Sequence, residues 1–180
     1  MKVSPNQPAP DFQLDDVYGR TIRLSALQGQ KIHLTFYRFS GCPNCNLRFH
    51  EVNKLVPLYR QNGVVQLSVY ESSVENMRAH IARDSFYSIM IPNPSGSLYQ
   101  RYGLDRSTWS LATYLLFHGG IGEFFQGKRL FKQPVATDGH ADRLEAEFLI
   151  NPDGQVTVAH YNKRQGDFLS IDVLQAFATS

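Results

Sequence analysis

The run KIHLTFYR, residues 31 to 38, alternates apolar and polar positions and then becomes largely apolar and aromatic, the pattern of a strand buried on both faces. At Pro43 the period changes. Cys45, Phe49, Val52, Val56 and Tyr59 recur at steps of three and four, which predicts an amphipathic helix. Pro57 falls inside that stripe, where it lacks a donor and crowds the preceding turn, so a regular helix is expected only to about Val56. Asn62-Gly63 is the expected stop.

The same reading extends along the chain. Alternation on either side of Tyr18-Gly19 predicts a small hairpin after a proline-containing leader. VVQLSVY, residues 64 to 70, suits a central strand; SSVE after it has the form of a capping box, with Ser72 as cap and Glu75 reaching back. Val74, Met77, Ile81 and Ala82 then mark a helical face. YSIMIP predicts another strand, and SGSLYQRYG a short helix closed by Gly103. AEFLI and QVTVAHY flank the turn Asn151-Pro152-Asp153-Gly154 as a hairpin, and SIDVLQAFA ends the chain with helical spacing. Strands alternating with helices argue for an α/β sheet with parallel neighbours.

One segment stands apart. Residues 107 to 122 contain no charged side chain but are interrupted by Gly119-Gly120, too short and broken for a membrane span of roughly 20 residues. A hydrophobic helix covering the core is expected there, or a homodimer contact through 107–125; a membrane-surface or lid role is the alternative.

At 180 residues and 42% hydrophobic content, one domain spanning 1–180 is expected. A formal charge of +2, with basic residues only in small groups such as Lys128, Arg129 and Lys132, gives no footprint for nucleic acid. The N-terminus MKVSPNQPAPDF lacks the apolar run of a signal peptide, so the cytoplasm is the expected location.

The two cysteines, Cys42 and Cys45, stand between the predicted buried strand and the helix. In a reducing compartment a disulfide between them would be transient, catalytic or redox-sensing. The helix N-terminus favours a thiolate, which makes Cys42, on the cap side, the more acidic and nucleophilic sulfur. Cys45 shares the apolar stripe and should face the core while Cys42 looks outward. Cys42 would then attack a disulfide or peroxide and Cys45 would resolve the product. Residues three apart at a helix start lie roughly 5 to 6 Å apart at Cα, within disulfide reach. Pro43 suits the first turn and stiffens the loop.

Half of a zinc site and two incidental buried cysteines are the competing readings. Zinc wants four ligands, and the six histidines are scattered. His50 lies by angle off the apolar stripe, beside Asn46, Asn53 and Lys54, on the solvated side. Arg38 and Ser40 stand closer to the sulfurs, and Arg38 could support a thiolate, although a strand-end arginine is equally a surface residue.

The stretch APDFQLDDVYGRTIRLSALQGQKIHLTFYR resembles the opening of the AhpC/TSA peroxiredoxin group, and FYRFSGCPNC resembles a peroxiredoxin-like branch with a CxxC in place of a single peroxidatic cysteine. LYQRYGL, EFLINPDGQVTVAHY and GDFLSIDVLQAF extend the likeness over most of the chain, and the segment around 105–135 is similar to a variable helical insertion in that branch. The resemblance implies a thioredoxin-like fold, a central mixed sheet flanked by helices with the active site at the start of the cysteine helix. It also implies thiol oxidoreductase or antioxidant activity. The expected cycle needs no metal or organic cofactor, with a thiol electron donor such as thioredoxin or glutathione and a hydroperoxide or disulfide as oxidant; a redox-regulated binding module on the same fold with little turnover is the alternative, and a zinc-binding module the third reading. Two departures accompany the resemblance. Thr35 and Phe39 occupy the positions of the usual Pro and Thr/Ser before the cysteine, and Glu145 or Ala146 stands where a cis-proline usually precedes a strand.

Overall fold

The computed structural model describes residues 1–80, 86–108, 122, 125 and 137–180. The chain enters through a hairpin, β1 (Gln13–Asp15) with β2 (Thr21–Arg23), turned at Gly19. A single 3-10 turn, Leu24–Leu27, leads to β3 (Lys31–Phe36), the middle strand of a five-stranded sheet. β4 (Val64–Tyr70) and β5 (Ile89–Pro92) continue the sheet in parallel on one side. β6 (Ala146–Ile150) and β7 (Val156–Tyr161) continue it antiparallel on the other, joined by the expected Asn151–Gly154 turn. The order β5-β4-β3-β6-β7 makes the sheet mixed, as the resemblance implies.

Helix α1 (Pro43–Asn53) follows the cysteine loop and α2 (Val56–Gln61) follows α1. The break lies at Lys54-Leu55, slightly earlier than the spacing predicts. Pro57 occupies the first turn of α2, where its missing N–H costs nothing, so the chain restarts a helix rather than kinking one. α3 (Val74–His80), α4 (Ser97–Arg101) and α5 (Ile171–Thr179) complete the described elements. The predicted cap of α3 shifts by one residue. Ser73, not Ser72, accepts the Asn76 N–H at 3.2 Å, which frees the Ser72 hydroxyl for other partners. Ile81 and Ala82 of the predicted α3 face, and almost all of the 105–135 insertion on which a homodimer contact is expected, lie outside the described residues.

The period-2 geometry of β3 sorts its side chains onto two different faces. Ile32, Leu34 and Phe36 join Phe148, Ile150, Tyr99 and Tyr102 in an apolar core. Phe36, Tyr102 and Phe148 meet there with ring centroids 5.0 to 5.8 Å apart. His33 and Thr35 face the other way, toward polar partners. The His33 ring hydrogen-bonds Tyr59 OH at 3.0 Å and Thr35 Oγ1 at 3.1 Å, and lies 3.5 Å from Glu147. Arg48 from α1 reaches the same carboxylate at 2.9 Å, and Leu169 N donates to it at 2.7 Å. Glu147 is fully buried, so these partners are what make its charge tolerable. Burial resists its ionisation, but the His33 hydrogen bond and the Arg48 charge prevail and hold the carboxyl below its ordinary pKa. The network fastens the cysteine helix to β6.

Candidate active site

β3 does not release the chain at Phe36. Tyr37 N donates to Val69 O at 2.9 Å and Glu71 N to Arg38 O at 2.7 Å, so the backbone stays tied to β4 up to the cysteine loop. Tyr99 OH of α4 adds a hydrogen bond to Tyr37 O at 2.6 Å. The loop Phe39–Gly41 is fixed through Ser40. Its N–H donates to Ser72 Oγ at 2.8 Å, its carbonyl accepts Asn46 Nδ2 at 3.0 Å, and the Ser72 hydroxyl in turn donates to Asp138 at 2.6 Å. The contacts of Ser40 thus run to Ser72 and Asn46 rather than to either sulfur. Asn46 is buried, not solvated as its angle beside His50 suggests; His50 itself is exposed.

Cys42 is the N-cap of α1, and Pro43 fills the first helical turn as expected. Cys42 Sγ accepts the Cys45 N–H at 3.4 Å and Arg38 Nη2 at 3.0 Å. Cys45 is fully buried, as its stripe predicts. Cys42 departs from expectation: with 1% of its surface exposed it does not look outward. Angle around a helix says nothing of what packs over its start, and here the Arg38 side chain, itself 5% exposed, lies over that sulfur. Both cysteines are free thiols.

The loop leading into β6 supplies the opposing wall. Arg38 Nη1 donates to Ala141 O at 2.9 Å, and Arg38 Nε lies 3.1 Å from Glu145 Oε1, a charge contact whose N–H is not aimed at the oxygen. Cys45 Sγ lies 3.8 Å from the same Glu145 Oε1. One carboxylate and one guanidinium therefore bridge two buried sulfurs. Burial opposes ionisation of Cys42, but the Cys45 hydrogen bond and the Arg38 charge outweigh it and bring the thiol down to about 7. Burial, followed by the hydrogen bond and charge of Cys42, pushes Cys45 up. Burial also raises Glu145, against the pull of Arg38. Cys42 is thus the sulfur held low and Cys45 the one held high, and the Cys45 hydrogen bond and the Arg38 charge are what hold Cys42 low.

This wall is latched to the end of β4. The buried Glu71 carboxylate accepts Arg143 Nη2 at 2.6 Å and the His140 N–H at 3.0 Å, while Asp138 accepts Ser73 N at 2.9 Å and Asn76 Nδ2 at 2.7 Å. Gly139 passes so close that a Cβ there would sit 2.3 Å from Glu71 O. The wall's own backbone is engaged too: Ser107 N donates to Asp142 O at 2.8 Å, Leu144 N to Asp105 O at 3.2 Å and Asn162 N to Glu145 O at 3.0 Å. No cis peptide bond occurs among the described residues, and Glu145 takes the place just before β6. Phe39, where the usual hydroxyl would stand, packs beneath the Arg38 guanidinium, 5.9 Å from ring centre to Cζ.

The spacing of the cysteines pointed to Cys42, Cys45 and Pro43, and their neighbourhood to Arg38 and Ser40. It did not single out Glu145, Glu71 or Arg143 as partners. A signal was present in DRLEAEFLI: two glutamates on alternate positions at the start of an otherwise apolar strand imply buried charges that must find cations.

The sequence pattern of the AhpC/TSA family matches residues 5–159, which takes in the hairpin, the cysteine loop, the Glu145 wall and the sheet into β7. The chain belongs to the AhpC/TSA family. Among individual relatives, the thiol-disulfide oxidoreductase ResA of Geobacillus thermodenitrificans is 36% identical over 67 residues, 37% of this chain and 38% of that protein. The match thus spans well under half the length of ResA. A Helicobacter pylori protein described as a peroxiredoxin, Bcp, is 26% identical over 105 residues, 57% of this chain and 69% of that one. In three dimensions, peroxidoxin BcpB from Mycobacterium tuberculosis superposes with a TM-score of 0.67 at 15% identity, covering 98% of this chain and 97% of that one. The fold is thioredoxin-like, and the AhpC/TSA chain is a member of a family of thiol-dependent oxidoreductases. Among its described residues no helix is long and apolar enough to cross a membrane.

Proposed function

We propose that this chain reduces hydroperoxides, with Cys42 as the attacking thiolate, Cys45 as the resolving thiol and a thiol donor such as thioredoxin or glutathione closing the cycle in the cytoplasm. The Cys42 sulfur attacks the peroxide oxygen: an S–O bond forms, the O–O bond breaks, and the departing alkoxide takes a proton to leave as alcohol. Cys45 then displaces the sulfenic oxygen as water and forms the disulfide, which two donor thiols reduce. Arg38 is the donor at the sulfur in a chain that has Phe39 instead of a hydroxyl.

The observation that carries this reading over protein-disulfide reduction is how Cys42 is enclosed. The residue is 1% exposed, with its sulfur hydrogen-bonded to the Arg38 guanidinium. The neighbouring backbone at 142–145, where an extended peptide would seek hydrogen bonds, is already paired with 105–107 and Asn162. A small oxidant needs no such backbone partner, whereas a bound strand does.

The deciding experiment is a side-by-side assay of hydroperoxide consumption and insulin disulfide reduction with wild type, Cys42→Ser and Cys45→Ser. Peroxide turnover should dominate, vanish in Cys42→Ser, and stall at a trapped sulfenic acid in Cys45→Ser. Insulin reduction without peroxide turnover, or full activity in Cys42→Ser, would overturn the assignment.

A further inference from the structure

We propose that Glu145 is the proton acceptor for Cys45 in disulfide formation and passes that proton outward through a small cavity behind it, away from the oxidant. This rests on the dithiol reading above and assigns a role to the residue that stands just before β6.

In the reduced protein the Cys45 thiol has two acceptors within reach. One is the Cys42 thiolate, and the other is Glu145 Oε1 at 3.8 Å. Once Cys42 has reacted, its sulfur carries an oxygen and no negative charge, so the first acceptor is gone. Glu145 is the one that remains, on a thiol whose burial makes unaided ionisation costly. The step then balances: the Cys45 S–H bond breaks toward Glu145, the Cys45 sulfur bonds to Cys42 Sγ, the S–O bond of the sulfenic acid breaks, and the departing hydroxide takes a proton to become water.

The far side of the carboxylate gives the proton a way out. A cavity of about 10 Å³ touches Glu145, Asn162 and Tyr161 and ends at Lys2 and Asp105. Lys2 and Asp105 pair at 2.8 Å with side chains 53% and 61% exposed, which places that end at the surface. The volume is close to the minimum that accommodates one water. Asn162 Nδ2 lies 3.4 Å from Glu145 Oε2, while its buried Oδ1 has no protein partner among the described residues. One carboxylate thus reaches Cys45 with Oε1 and Asn162 with Oε2, and both Glu145 and Asn162 line this cavity.

The charged and titratable groups around Glu145 are Arg38 after β3, Cys42 and Cys45 at the start of α1, Tyr99 on α4, and Tyr161 on β7 with Lys2 and Asp105 along the cavity. Arg38 keeps the carboxylate available as a base without neutralising it, since the pair shares no aligned hydrogen bond.

The test is single-turnover kinetics that separate Cys42 oxidation from disulfide formation across pH. In wild type the disulfide step should fall tenfold per pH unit on the acid side, below a carboxyl midpoint lying above the ordinary range, and level off above it. In Glu145→Gln that acid limb should disappear, the step should slow by about 100-fold at neutral pH, within the range a positioned base contributes, and its rate should climb toward alkaline pH with the Cys45 thiol. Cys42 oxidation should be no slower, because Glu145 opposes its ionisation. Glu145→Asp should recover part of the loss. If Glu145→Gln forms its disulfide at the wild-type rate, Glu145 is not the acceptor. Should that variant fail to fold, the wild-type profile decides alone: a rate rising steadily into the alkaline range with no carboxyl limb overturns the proposal. A wild-type chain that oxidises Cys42 but never forms the Cys42–Cys45 disulfide removes the dithiol reading itself, an outcome distinct from the other two.

Discussion

Arg38 Nη2 donates to Cys42 Sγ at 3.0 Å while the same guanidinium stays within 3.1 Å of Glu145 Oε1, so one buried cation serves two anions. Replacing Arg38 by Met should raise the Cys42 midpoint from about 7 by roughly one unit or more, the usual effect of a neighbouring charge. Alkylation by iodoacetamide at neutral pH should slow by about fivefold or more, in step with the lost thiolate fraction. Arg38→Met also strands Glu145, so the double variant with Glu145→Gln should restore stability while leaving Cys42 sluggish. An unchanged alkylation profile would mean that Arg38 does not tune the sulfur.

Stability of the reduced protein should depend on pH through Cys42. Its folded pKa, about 7, lies below the ordinary thiol value of 9.0. The unfolded state therefore binds more protons between these values, and the contribution is complete above about 9 and lost as pH falls through about 7. By the two-unit difference the effect is about 3 kcal/mol. Urea midpoints of reduced wild type and Cys42→Ser, compared across this window, should diverge toward high pH.

The buried pair Glu71–Arg143, 2.6 Å apart, holds the wall to β4. Arg143→Ala leaves Glu71 with His140 and no strong cation, which should cost about 3 to 5 kcal/mol. Burial favours protonation of Glu71, but the Arg143 and His140 hydrogen bonds prevail and hold its carboxyl low. The latch thus contributes at neutral pH and weakens as pH falls through that depressed pKa. Equilibrium unfolding measures the cost, and hydrogen exchange at 137–145 should report local opening first.

Gly139→Ala tests the close approach directly. With its Cβ 2.3 Å from Glu71 O and 3.2 Å from Phe39 Cβ, the backbone must shift, at a cost of about 1 to 3 kcal/mol typical of overpacking. Exposure of Cys42 to alkylating agents should rise as the wall moves. A variant as stable and as protected as wild type would show that the wall moves aside without loss.

How much could be read beforehand is clearest at particular residues. The strand and helix periods placed β3, β4, the β6–β7 hairpin and the cysteine helix, because each depends on side chains alternating onto a buried face. Pro57 announced the break between α1 and α2, and Cys45 its own burial. Ser72 and Asn46 were misread for one reason: local spacing treated them as a cap and a solvated face, but distant chain arrives at both. Asp138 draws Ser72 into its network, and the Ser40 carbonyl holds Asn46.

Reading along the chain was enough for the element order and for the place of the CxxC between a buried strand and a helix start. Those properties follow from periodicity and a helix terminus, which are local. Only the tertiary structure decided that Cys42 is enclosed, that Arg38 lies over it rather than in solvent, and that Glu145, a hundred residues from Cys45, shares its site. These depend on β6 pairing antiparallel to β3 and on the latch to Glu71, long-range contacts that bring Glu145 and Arg38 together in a buried setting where each charge needs the other.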